Sequence, residues 1–174
     1  AARFVSACLA VAASSASVPA TELIDVEAGR QIYLYGIGSA NQPIRATVQG
    51  DIPIEGKAAA CANCHQRSGL GTAEAARRTP AITGVALLTP REGAAARSRY
   101  STELLARAIT TGLTSDGAPL DRLMPRYALS DVDLRALLQY LTQLGTAETP
   151  GVSDAELQLA TIIYDGAPRA QQRA

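Results

Sequence analysis

Cys61, Cys64 and His65 are the residues through which this chain can do chemistry, and they stand together as Cys61-Ala62-Asn63-Cys64-His65. The pattern C-x-x-C-H is that of covalent haem attachment. On one helical turn the two thiols lie close enough to reach the two vinyl groups of a single porphyrin. The residue that follows then aims its imidazole at the iron. Three plainer readings compete. A two-cysteine redox motif with an incidental His lacks the surrounding βαβ pattern such motifs have. A zinc site would need a fourth ligand that only Asp or Glu could supply. A structural disulfide explains neither the tight spacing nor the His.

The rest of the inventory is sparse. The sequence holds one His, one Met (Met124), one Lys (Lys57) and three Cys, the third being Cys8. A bis-His metal site and a four-Cys zinc site within one chain are therefore impossible. A haem held by His65 leaves its sixth iron position open. Met124 is the only thioether available to fill it, from the stiff run Leu123-Met124-Pro125-Arg126-Tyr127. The plainer reading is a lone Met filling a gap in the core. His/Met ligation would raise the reduction potential and close the iron to small ligands, which suits electron transfer and disfavours catalysis.

Composition agrees. Aromatics are only 4% of 174 residues, with no Trp, although 47% of residues are apolar. A flat apolar ring would supply the core bulk those side chains lack. Sixteen basic residues balance sixteen acidic ones, so the net charge is zero and nucleic acid is not an expected partner.

Several elements could position these residues. Residues 25–36 read as a helix capped by Asp25 and stopped by Gly36, with Val26, Gly29, Ile32 and Tyr33 on one face. Residues 37–57 read as a loop or small hairpin, with β-like pieces at 44–48 and 52–54. Ala58 to Ala60 lead into the haem motif as the first turns of a helix. Residues 66–100 look irregular, with Pro80 and Pro90 as breakers. A helix is expected over 101–112, with Leu105, Ala108 and Ile109 as its stripe. The strongest local signal is 130–144, where Ser130 precedes Asp133 in a capping pattern. There Leu134, Leu137, Leu138, Leu141 and Leu144 form the stripe, and Gly145 ends it. Little in the sequence argues for a real sheet.

This order resembles that of the class I mono-haem c-type cytochromes over about residues 25–145: a first helix with Gly29 and Tyr33, the haem motif, Pro80-Ala81-Ile82-Thr83-Gly84, a helix, the Met124 loop and a closing helix. The resemblance implies an all-α fold wrapped around one haem c; the chain departs from small family members in the segment from Ile37 to Lys57, a short extra loop or hairpin before the haem motif that is longer than the usual link. The resemblance implies a domain over 21–147 with cofactor-binding residues Cys61, Cys64, His65, Met124 and Pro80, of which His65 and Met124 bind iron. The Pro80 carbonyl would accept a hydrogen bond from the ligand imidazole. Gly29 would let the first and last helices cross near Leu137 or Tyr140.

Residues 3–20 read as the tail of a signal peptide, cleaved near Thr21, and place residues 1–20 outside the domain. A second reading makes Val5-Ser6-Ala7-Cys8 a lipoprotein box, and only then would the chain be attached to a membrane. Residues 148–174 read as an extension or the start of another domain. The expected function is periplasmic electron transfer with no enzymatic activity. Redox partners would dock transiently on an apolar rim of Ala62, Gln66, Leu70 and Leu123, with mild salt dependence. The rival functions are a haem-based sensor, a peroxidase-like domain, or a cytochrome module of a larger receptor or dehydrogenase. Arg91, Arg97, Arg99 and Tyr100 are weak candidates for haem propionate contacts, the better reading of each Arg being a solvated surface. Arg126 and Tyr127 could either reach a propionate or orient the Met124 loop.

Overall fold

The computed structural model describes residues 25–74, 77–93 and 96–145. The expected segments at 1–20 and 148–174 lie outside the described residues.

Helix α1 spans Val26–Tyr35. Asp25 caps it, its carboxylate accepting from the N–H of Glu27 at 2.9 Å and of Ala28 at 3.2 Å. Gly36 ends it in the left-handed conformation. The closing helix α5 spans Asp131–Gln143, and the Ser130 hydroxyl accepts from the Asp133 N–H. The two helices cross at Gly29, where an added Cβ would overlap the Ala136 carbonyl and press on Tyr140. Only a residue without a side chain allows this approach. Next to the crossing, the Tyr33 and Tyr140 rings lie 5.3 Å apart at 51°.

Helix α4, Thr102–Thr111, falls where a helix is expected; the Ser101 side chain caps its start, which the sequence reading did not single out, and Gly112 ends it. Its buried stripe of Leu105, Ala108 and Ile109 joins Leu137, Leu138, Leu141 and Leu144 of the last helix and its end in one core. Ile32, Tyr33 and Leu137 are the largest side chains fully withdrawn from water. Each such Ile or Leu contributes about 1.5–3 kcal/mol of transfer free energy.

An all-α description does not cover what lies between. Strands β1 (Arg45–Val48) and β2 (Ile52–Glu55) form the antiparallel hairpin that the β-like pieces predict. Two further strands, β3 (Thr72–Glu74) and β4 (Arg77–Thr79), make a second hairpin in the stretch that reads as irregular. A fifth, β5 (Arg126–Ala128), follows Met124 and pairs with β1, giving a three-stranded sheet in the order β2-β1-β5. Three-residue strands show too little alternation to be seen in sequence, and β5 exists because β1 offers it an edge.

Two short helices complete the fold. Helix α2 is Ala62–His65, preceded by a 3-10 turn over Gly56–Ala59. Helix α3, Gly84–Leu88, was not expected between Pro80 and Pro90. The Thr83 hydroxyl caps it, accepting from the Ala86 N–H at 3.2 Å. Gly84 packs directly on the Thr142 backbone of α5.

Candidate cofactor site

The haem-motif turn is fixed from both sides. The His65 N–H donates to the Cys61 carbonyl at 3.0 Å, and the Gln66 N–H to the Ala62 carbonyl at 3.0 Å. The Asn63 amide donates to the Lys57 carbonyl at 2.7 Å, locking the approach to the turn. Gln66 then turns the chain away at φ 64° and ψ 165°, a positive-φ conformation that a non-glycine residue adopts only when its neighbours hold it. The Tyr33 hydroxyl supplies that hold, donating to the Gln66 carbonyl at 2.6 Å. Burial raises the Tyr33 pKa, so this donor keeps its proton.

His65 is 5% exposed. Its Nδ1 lies 3.0 Å from the Pro80 carbonyl, the contact that the resemblance implies. A carbonyl can only accept, so Nδ1 carries the proton and the other ring nitrogen keeps its lone pair for a ligand. Burial lowers the His65 pKa, which favours this neutral form; the Pro80 bond opposes that more weakly. Gly71 makes the geometry possible. Its backbone sits so close to the Thr79 and Pro80 carbonyls that a Cβ would overlap them.

Cys61 is buried and Cys64 exposed, and no disulfide joins them. Burial pushes the Cys61 thiol pKa up to about 11. The Tyr127 hydroxyl stands 3.7 Å from Cys61 Sγ and donates to the Ala59 carbonyl at 2.9 Å. Tyr127 therefore braces the turn from behind.

Met124 is half-buried and lines the same cavity as His65. Its N–H donates to the Asp121 carbonyl at 3.1 Å, and its own carbonyl accepts from the Arg126 guanidinium. The same guanidinium donates to the Leu120 carbonyl at 3.2 Å and the Asp121 carbonyl at 3.4 Å. Arg126 thus takes the loop-orienting role, with its donors spent on the loop.

Cys61, Cys64, His65, Pro80 and Met124 all line one cavity of about 1110 Å³. Ordinary ligand pockets reach about 1,000 Å³. Leu87, Leu105, Ile109, Leu137 and Leu141 supply apolar walls. Arg78, Arg91, Arg97 and Arg122 line it as well, and Asp121 is the only carboxylate among the described lining residues. A flat apolar group carrying acidic substituents fits this arrangement, with two thiols at one edge and His65 and Met124 as candidate axial donors. Among the described residues no three His, Cys, Asp or Glu gather as a metal site.

The remaining sequence candidates divide. Arg91, Arg97 and Tyr100 line the cavity, whereas Arg99 is not among its walls. The Arg97 guanidinium lies 4.7 Å from the Tyr100 ring centroid and donates to the carbonyls of Ala86 and Ser98. Of the proposed rim, Gln66 and Leu123 border the cavity, while Ala62 and Leu70 do not. Leu70 is nonetheless 67% exposed and Leu123 43%. Sequence reasoning missed Arg78 and Arg122, since exposed arginines carry no periodic signal. It placed Tyr33 on a helix face without showing that its hydroxyl holds the haem turn.

The fold and the cavity define a protein that holds haem through C-x-x-C-H. A family model described as Cytochrome c matches residues 56–145, just over half of the chain, and the chain belongs to the cytochrome c family. That membership implies covalent haem c and the cytochrome c fold, and it suggests electron transfer. No curated protein and no solved structure matches it.

Proposed function

We propose that this chain is a periplasmic one-electron carrier with a single haem c, attached through Cys61 and Cys64 and ligated by His65 and Met124. One observation carries the reading: both cysteines, the imidazole and the sole thioether of the sequence line the same cavity. When bound, the haem supplies a metal centre that gains or loses one electron. The chain's own residues do the rest. Pro80 holds the proton on His65 Nδ1 and fixes the ring. Arg126 holds the loop that carries Met124. Leu105, Ile109 and Leu137 keep water from the cavity's inner wall, which favours the less charged reduced form. With His65 and Met124 both holding the iron, no position would be left for a substrate, so the reading includes no enzymatic activity.

The signal-like stretch at 3–20 supports export, and a lipid anchor would follow only from modification of Cys8. Exposed Leu70 and Leu123 beside the haem motif and the Met124 loop suit brief docking of redox proteins. The zero net charge supports mild salt dependence, with haem carboxylates offsetting the arginines at the cavity.

The test is the absorption spectrum of the haem-loaded protein. The ferric form is expected to be low-spin with a sulfur–iron charge-transfer band, and the ferrous form to resist carbon monoxide. Met124→Ala should keep its haem, turn high-spin and bind carbon monoxide rapidly; His65→Ala should fail to accumulate holoprotein. A Met124→Ala variant with an unchanged low-spin spectrum would overturn the ligation. A parent protein that takes up carbon monoxide rapidly would favour a sensor.

A further inference from the structure

We propose that the β1–β2 hairpin is a strap that holds the Met124 loop against the cavity, and that Arg122 is its positioning residue. The proposal rests on the reading of Met124 as an axial ligand. The hairpin lies before residues 56–145, the part that matches the cytochrome c family model.

The hairpin meets the loop at two places. At its base, β1 pairs with β5 immediately after the loop, matching Ala46 with Tyr127 and Thr47 with Arg126. At its tip, the contact is reciprocal. The Gln49 N–H donates to the Arg122 carbonyl at 2.8 Å, and Arg122 Nη2 donates to the Gln49 carbonyl at 2.6 Å. Gln49 is held at φ 55°, a conformation a side-chain-bearing residue rarely adopts, and in it both of its backbone polar groups meet Arg122. Inside the loop Arg126 ties the carbonyls of Leu120, Asp121 and Met124 together, and the hairpin adds a tether from outside it. The loop lies in no helix, Pro125 has no N–H to donate, and Met124 donates only to Asp121.

The consequence follows from populations. A ligand that must displace Met124 binds only when the loop is off the iron, so its apparent affinity scales with the fraction of loop that is off. Loosening the strap raises that fraction.

The experiment uses the ferric holoprotein, imidazole as the displacing probe, and hydrogen exchange over residues 119–125. Arg122→Gln removes the charged donor from an exposed side chain and should leave the fold intact. It is expected to tighten imidazole binding by roughly five- to tenfold and to speed exchange of the loop by a similar factor. Arg122→Lys keeps a charged donor and should return the affinity to within about twofold of the parent. Arg30→Gln, the same charge change on α1, should shift neither reading. Unchanged imidazole affinity and unchanged exchange in Arg122→Gln would overturn the strap, as would an equal shift in Arg30→Gln. Failure of the axial reading looks different: Met124→Ala would then leave the spectrum and imidazole affinity unaltered, and exchange in Arg122→Gln would still decide the strap.

Discussion

The two sides of the cavity are held by different means. His65 sits on a helical turn, 5% exposed, with its ring held against a fixed carbonyl. Met124 sits half-buried in a loop bonded to the Arg126 guanidinium and, through Arg122, to a neighbouring hairpin. The His65 side is set by close packing, which is stiff and intolerant of added volume. The Met124 side is set by a few polar tethers, each of modest worth and each removable without disturbing the core. Disruption of the first should therefore appear as lost stability, and disruption of the second as a change in what reaches the metal.

The largest effect is expected at the helix crossing. Gly29→Ala puts a methyl group into the Ala136 carbonyl, where neither backbone can give way freely. It should destabilise by about 3 kcal/mol in chemical denaturation. A near-neutral result would mean that the crossing does not support the His65 side.

Arg126→Leu comes next, and it breaks the comparison on the other side. It removes the donor to the carbonyls of Leu120, Asp121 and Met124. A cost of about 1–2 kcal/mol is expected, with a rise in carbon monoxide uptake by the ferrous holoprotein. If stability falls without any change in uptake, the tether does not govern the Met124 loop.

Tyr33→Phe sharpens the contrast. It deletes the donor to the Gln66 carbonyl and should cost about 1 kcal/mol, read as a lowered midpoint, while the ferric spectrum stays unchanged. A shifted spectrum would show that the two sides are coupled.

The smallest effect belongs to Asp133, which ties the chain before the hairpin to α5. Its carboxylate accepts from the Ser39 N–H at 2.7 Å and the Ser130 hydroxyl at 2.8 Å. Burial raises its pKa, but those bonds outweigh burial and hold it below the ordinary carboxylate value. A lowered folded pKa means that the stabilisation is fully present above the unfolded value, about 3.9, and is lost as pH falls through the folded one. Asp133→Asn should cost under about 1 kcal/mol at pH 7, and the gap from the parent should close in acid. A gap independent of pH would refute the electrostatic origin.

What the sequence displays and what it hides follow the same division. Asp25, Gly36, Gly112 and Ser130 mark helix ends because capping is local chemistry. The haem motif is legible because its three functional residues are adjacent. The Pro80 contact and the Gly29 crossing came from resemblance, since nothing local points across fifteen residues to His65 or from α1 to α5. The tethers on Met124 were not legible. Arg122 and Gln49 are 73 residues apart, and their bond exists only once β1 and β5 have paired. Strand β5 itself is too short to show a period and is made by its partner.

The central claim is that the cavity holds iron between His65 and Met124. The most direct measurement is the iron X-ray absorption spectrum of the oxidised holoprotein. The account predicts one sulfur atom at bonding distance from the iron, with nitrogen atoms filling the other positions, and loss of that sulfur in Met124→Ala. A parent spectrum with only nitrogen and oxygen neighbours would contradict it.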